Sequence, residues 1–426
     1  MKRGKHLRKT LLGLVCLLLA FPSLGAAAEF TLKSGTLLRV FERDTPAGEE
    51  EKVLPAYEYL QLDIGSLASK GLSFHFYGWG RYDFADNDFY QDQEAGELLY
   101  GYLEYEQPDS SLNLRLGRQY IFEGVANESV DGLRLSSQLG QYFSASAYAG
   151  KSVGLDTTDG GSSDTIYGGR LAHFLGSTYQ LGVSYKNSEN NGDIAEEMLG
   201  YDLSLFLPGS IGFYGNSVRN LETKGWAEHS YELRFNLANI AFRPYYEMFQ
   251  YEDYFGTGAN AVNPFRLLGL TEEELDIYGL DASYQLSDAT DVGFKLKNYE
   301  YDIRESAQYY SLLANWRGED MTAVGCEFGI MDGDAAKDQY SLIRLYGYKD
   351  NVPVLVGFLT GDVVYVDYDE DIYGESSSLF LSLGAGKRFM DDALTVELSG
   401  DYSSDPYFDE DVRALVKMTY NYDRGI

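Results

Sequence analysis

From Phe30 onward the chain repeats one pattern. Roughly ten residues alternate apolar and polar, and then a turn signal interrupts them. The stretch 112–136 shows the pattern twice. Leu112, Leu114 and Leu116 alternate with Asn113 and Arg115, and Leu133 and Leu135 alternate with Arg134 and Ser136. A period of two is a β-strand with one apolar and one polar face. In the last segment Val412, Ala414, Val416, Met418, Tyr420 and Tyr422 share one side. Arg413, Lys417, Thr419 and Asn421 share the other, with Leu415. Tyr231, Leu233, Phe235 and Leu237 oppose Glu232, Arg234 and Asn236, and Val292, Phe294 and Leu296 oppose Lys295 and Lys297. The segments 339–348 and 354–366 alternate poorly, and their faces stay unassigned.

The interruptions have their own rhythm. Ten are short, at 66–70, 107–110, 138–141, 175–177, 208–210, 238–239, 287–289, 318–320, 349–352 and 390–392. Between them lie longer connections rich in acids and glycine, including 44–54, 85–95, 155–164, 253–274 and 367–374. Short turns at one end and long loops at the other are the signature of a transmembrane β-barrel. Ten short turns join twenty strands; with a first strand at 30–42 and a last at 411–422 the count is 22, within a range of 18–22. An even count puts both termini at the short-turn end.

Alternation alone does not say which face meets water, because a soluble β-sandwich or β-helix alternates too. Three features favour the barrel: the short–long rhythm, the even closure, and the Tyr, Phe or Trp that usually end the apolar sides. Such rings suit membrane interfaces, with an apolar body in lipid and a polar edge in water. The 37 tyrosines and 23 phenylalanines exclude disorder. The expected fold is therefore an all-β, antiparallel, up-and-down transmembrane barrel without a plug domain. Its leucines face lipid and its arginines a watery lumen.

Residues 1–28 read as a cleaved secretory signal peptide. Lys2, Arg3, Lys5, Arg8 and Lys9 precede an apolar run from Leu11 to Phe21, and Ala26-Ala27-Ala28 offers the cleavage site. Removing 28 residues from 426 leaves 398, residues 29–426, as one barrel domain. Removing those five bases from 34, against 66 acids, leaves a charge of −37. So acidic a chain is a poor partner for nucleic acid. The expected address is the outer membrane of a Gram-negative cell, with lipid and lipopolysaccharide as neighbours.

The water-facing set defines the candidate site. Its bases are Arg115, Arg234, Arg243, Lys295, Lys297, Arg413 and Lys417, and its acids are Glu104, Glu232, Glu247 and Glu397. Opposed charges in a pore orient polar solutes and select ions, although any water-facing wall also needs charges. Arg118 lies three residues from Arg115, which in a regular strand puts it on the lipid face at about 2–4 kcal/mol. Either the strand ends near Gly117 or that glycine forms a bulge that returns Arg118 to the lumen. The acidic stretches 367–371 and 405–411 read as outer loops that attract cations, bridge divalent ions to lipopolysaccharide, or are simply solvated. In the longest loop, 253–274, Thr271 with Glu274 fits a capping box for a short helix, and the loop is long enough to fold into the pore.

Chemistry is not expected. His75, His173 and His229 are isolated, Cys326 is the one cysteine past the leader, and no C-x-x-C-H is present. The chain therefore reads as a non-enzyme with no cofactor and no metal.

The stretch 114–136, with LRLGRQYIF and then VDGLRLS, resembles bacterial outer-membrane porins, which carry a strand ending in G-R-Q, a loop, and a strand opening D-G. The resemblance implies a passive diffusion channel, often a homotrimer, with Arg115, Arg118 and Arg134 among its lumen bases. The chain departs from that pattern in ending on Ile426 and in a strand count above about 16–18. A barrel of 22 strands is usually filled. A second resemblance follows, to the barrel sheaths of trans-outer-membrane multihaem cytochrome conduits, where a periplasmic or lumenal cytochrome fills the lumen.

Overall fold

The computed structural model describes residues 29–424 apart from 45–49, 66, 68–70, 86–88, 91, 108–110, 154–164, 191, 257–270 and 354–356. The leader expected at 1–28 lies outside these residues. In chain order the strands are β1 (Phe30–Asp44), β2 (Glu50–Val53), β3 (Pro55–Ile64), β4 (Leu72–Asp83), β5 (Glu94–Glu106), β6 (Leu112–Glu123), β7 (Ala126–Leu139) and β8 (Phe143–Ser152). There follow β9 (Thr165–Leu175), β10 (Tyr179–Asn190), β11 (Asp193–Leu207), β12 (Ile211–Asn220), β13 (Trp226–Leu237), β14 (Ile240–Gln250), β15 (Glu274–Ser287) and β16 (Thr290–Tyr301). The last are β17 (Ala307–Arg317), β18 (Ala323–Gly333), β19 (Tyr340–Val352), β20 (Gly357–Ile372), β21 (Glu375–Phe389), β22 (Leu394–Asp405) and β23 (Phe408–Arg424).

Leu54 alone separates β2 from β3, and both pair with β1, so they form one barrel strand. The barrel has 22 strands, as the turn rhythm predicts. Every pairing is antiparallel between neighbours in the chain. Closure comes from β1 against β23, with Phe30 opposite Arg424 and Phe41 opposite Arg413. Closure leaves no sheet edge, which is what a spanning sheet needs where no water can satisfy stray N–H and C=O groups.

Cross-strand register settles the faces. Leu116, Leu312, Leu383 and Leu398 each expose more than half of their surface, and Leu103, Leu116 and Leu133 stand side by side in register. Exposing a leucine to water forgoes about 1.5–3 kcal/mol, and large apolar side chains this exposed recur on most strands, far beyond a soluble protein's surface patches. The apolar side is the outer side. The two poorly alternating segments now have faces as well: Arg344 and Tyr346 of β19 lie opposite Val364 and Asp362 of β20 on the inner side. The alternation was masked because the inner side there also carries Leu342, Val364 and Val366.

Two expected loops are not loops. β20 and β21 run on to a tight turn at Tyr373–Gly374, and β22 and β23 to one at Pro406–Tyr407. The acids of 367–371 therefore stand on extended strand ends, where alternating carboxylates are solvated on either face. The capping box is also corrected. Glu274 opens β15, and the helix, α1 (Tyr251–Phe255), sits at the other end of the loop with the Gln250 side chain accepting from Glu252 N. The helix lies on the inner side of the wall, its Tyr254 ring 5.5 Å from that of Phe249, whose register partner is Leu275. Burial, with Glu228 nearby, raises the Tyr254 phenol above its ordinary value. The rest of that loop's infolding lies outside the described residues.

Candidate functional site: two walls of the lumen

Most inner bases meet acids on their own strand or on one close by. Arg115 Nε donates to Glu104 Oε1 at 2.8 Å, and Asn113 donates to the same oxygen at 2.6 Å. Arg134 pairs with Glu123, Arg234 with Glu232, and Arg243 with both Glu232 and Asp281. Lys295 Nζ lies 3.6 Å from Glu327, and Arg413 pairs with Asp411. Lys297 is opposite Gly279, Lys417 opposite Glu397, and Glu247 opposite Ser230, all in the inner register. The wall is thus tiled with local ion pairs, whose fields fall off quickly in water. The sequence pattern pointed to the bases but missed Glu123, Asp281, Glu327 and Asp411, which answer them, because pairing across strands depends on a register that alternation alone does not give.

Arg118 does not join this set. The register runs unbroken through Gly117 on both sides, so no bulge returns Arg118 to the face of Arg115. Its charge is answered instead: Nε and Nη2 donate to the two oxygens of Asp131 at 2.7 and 2.8 Å, and Nη1 donates to the Leu98 carbonyl at 2.9 Å. Gly117 does matter, with φ +131 and the Gly101 carbonyl 2.3 Å from where a Cβ would stand. It is the last step before β6 leaves β5, whose pairing ends at Gly101–Arg118.

Beyond that point the β6–β7 hairpin crosses to the inner face of β8–β11. Its tip reaches Ser184 of β10, whose hydroxyl accepts from Val125 N at 3.1 Å. Gly124 has φ +58 and lies against the same side chain, and a Cβ at Gly200 of β11 would strike Val125. Under the hairpin Ile121, Ala126 and Val130 close with Tyr148 and Ile166 into a dry cluster. Next to it Lys186, 92 % buried at its side chain, is held by Glu128 of the hairpin at 2.6 Å and by Glu196 of β11. Burying one ammonium between two carboxylates is stable only with such close partners. Below the hairpin a cavity of about 500 Å³ remains, lined by Ser136, Ser144, Ser146, Gln180, Asn216 and the Arg170–Asp202 pair.

The opposite treatment is found on β3–β5. Tyr57 and Tyr59 of β3, Tyr77 and Trp79 of β4, and Tyr100 and Tyr102 of β5 all fall in the inner register. Ring centroids run 6.1 Å from Trp79 to Tyr57, 6.4 Å to Tyr59, 6.4 Å to Tyr77, 5.5 Å to Tyr100 and 5.7 Å to Tyr102. The His75 ring stacks 5.0 Å beyond. All are half-buried. At the loop end the Tyr90 hydroxyl is 3.1 Å from that of Tyr57, and the Arg81 guanidinium sits 3.5 Å from the Tyr90 ring centre. Burial and that hydroxyl contact push the Tyr90 phenol up to about 12. At the turn end His75 bridges Asp63 at 2.6 Å and Glu104 at 3.2 Å. The alternation contained these rings, since Tyr57, Tyr59, Tyr77 and Trp79 share a parity.

Among the described residues no group of three metal-ligating side chains forms. No family model matches the chain, and no curated protein sequence matches it. Solved structures do. The P pilus usher (PapC) translocation pore superposes with a TM-score of 0.51 at 10% identity, covering 93% of this chain and 100% of that one. Acinetobacter baumannii OccAB4 gives 0.45 at 10% identity over 95% of this chain and 100% of that one, and the outer membrane protein opdK of Pseudomonas aeruginosa gives 0.40 at 9% over 93% and 99%. With the usher pore this chain shares a fold: a large, closed, antiparallel porin-like β-barrel.

Proposed function

We propose that this chain is a passive channel of a Gram-negative outer membrane, exported through its leader, that passes ions and small polar solutes through a water-filled lumen. One observation carries the reading: the apolar side of a closed 22-strand sheet faces out and the charged side faces in. A soluble protein inverts that arrangement. No reaction is required of any residue, and the acids and bases act on solutes only through their fields. Because the inner bases are largely paired, the unpaired acids of the strand ends at 367–371 set the sign of selectivity, and the channel favours cations. The surrounding partners are lipid and lipopolysaccharide, whose phosphates those acids would meet through divalent cations. The cytochrome-sheath reading gains no observation in its favour, since the chain's own hairpin already covers the inner face of β8–β11.

The test is single-channel recording of the purified full chain in a planar bilayer across a salt gradient. Steady conductance with a cation-signed reversal potential is expected. A folded barrel that conducts nothing overturns the reading, and an anion-signed potential overturns the assignment of selectivity.

A further inference from the structure

We propose that the aromatic wall of β3–β5 is a binding lane for neutral saccharides, so that the solutes this barrel handles include linear oligosaccharides. The inference rests on the channel reading and names a solute class for it.

The first argument is what these rings are not doing. Elsewhere on the inner side aromatic rings roof glycines of a neighbouring strand. A Cβ at Gly279 would stand 2.0 Å from the Tyr245 ring, at Gly325 2.2 Å from Tyr346, at Gly329 2.4 Å from Tyr309, and at Gly386 2.2 Å from Phe358. Those rings fill holes in the sheet. No lane ring is among the atoms that close on a glycine in this way. They touch one another in tilted or stacked pairs, half-buried, and follow three strands from a loop toward the turn end.

The second argument is chemical fit. A row of π faces is negative at its centre. The axial C–H groups of a pyranose form a flat, weakly positive face, which such rings attract, and its equatorial hydroxyls point sideways. At the two ends of this lane stand hydrogen-bonding groups of both kinds. Arg39 lies 5.7 Å from the Tyr57 ring centre and Arg115 5.3 Å from that of Tyr102, with Asp63 and Glu104 below. Arg115 is paired with Glu104 and Asp63 with His75, and the two carboxylates balance the two guanidiniums, so the lane offers directed donors and acceptors without a net charge that would call for an ionic ligand. Stacking platforms with a few polar groups at their rim are the usual construction of such sites. Ring spacings of 5.5–6.4 Å are near the length of one hexose, so a chain of sugars steps from ring to ring.

The experiment uses the full-length barrel and a defined probe series, maltose to maltohexaose, read in two ways. In the bilayer, the expected result is interruption of the ion current with dwell times that lengthen with each added sugar. In detergent, tryptophan emission reports on the lane directly. Of the three tryptophans, Trp226 and Trp316 are exposed on the outer side, and Trp79 alone is in the lane. Titration with maltohexaose should shift the emission, and the shift should vanish in Trp79→Phe. Tyr77→Leu with Tyr100→Leu should shorten the dwell roughly tenfold, about two ring contacts' worth, while Tyr309→Ala leaves it unchanged. If the double variant does not fold, the wild-type titration still decides. A conducting channel with neither block nor emission shift overturns the lane. So does a shift with benzoate but not with the sugars. An emission shift from a barrel that does not conduct keeps the lane and overturns the channel reading.

Discussion

The inner side of this barrel has two walls that handle the same problem in opposite ways. The wall of β8–β11 is covered: a hairpin of the chain lies on it, Tyr148 and Ile166 are dry, and Lys186 is locked between Glu128 and Glu196. The wall of β3–β5 carries no such cover of hairpin backbone: its six rings are half-buried, with Tyr90 bonded to Tyr57 at the loop end. A wide barrel has more inner surface than solutes need, and covering one side narrows the lumen toward the other. The difference teaches where to look for solute contact. Ion pairs under the hairpin have spent their bonding on the fold, and rings on the open wall have not.

The strongest way to break this comparison is to uncover the covered wall. Lys186→Met removes the buried ammonium that Glu128 and Glu196 share, and breaking such a buried pair costs about 3–5 kcal/mol. The hairpin should loosen, with a larger and noisier single-channel current and a lower unfolding midpoint. A current identical to the wild type would show that the hairpin does not narrow the pore. Next in size is the departure point of the hairpin. Arg118→Leu removes a bidentate pair with a half-exposed carboxylate, worth about 1–2 kcal/mol, and should raise the frequency of brief openings. Asp131→Asn should reproduce it in weaker form. If neither variant changes gating, the clamp is a passive charge neutraliser.

A smaller effect sharpens the open wall. Tyr309→Ala uncovers Gly329 and should lower stability by about 1 kcal/mol without touching saccharide block, as measured by urea midpoints beside the dwell times. The smallest concerns the turn 318–322. Lys349 and then Thr322 hold the Asp320 carboxyl well below the usual carboxylate range. A depressed pKa stabilises the fold above the ordinary value of about 4 and loses that contribution as pH falls through the folded value. Asp320 is fully exposed there, so wild type and Asp320→Asn should differ slightly in midpoint at pH 7 and converge in strong acid. A difference that grows in acid would reverse the assigned sign.

The sequence by itself determined the barrel. A period of two with an apolar face needs only local residue types, and the alternation of short and long interruptions counts strands without reference to contacts. Arg115, Arg134, Arg234 and Lys295 were legible for the same reason: each sits between two large apolar residues. What the sequence could not reach is where local rules stop. Arg118 obeyed its parity, and its answer was Asp131, thirteen residues on, with the Leu98 carbonyl. The acids at 367–371 extended a strand because a hairpin's length past the membrane is set by its partner. The hairpin's inward turn depended on room left by Gly200 and on Ser184, and the aromatic lane on three registers aligning. Contacts between strands belong to the closed sheet, and only closing it decided which wall the chain would cover and which it would leave to solutes.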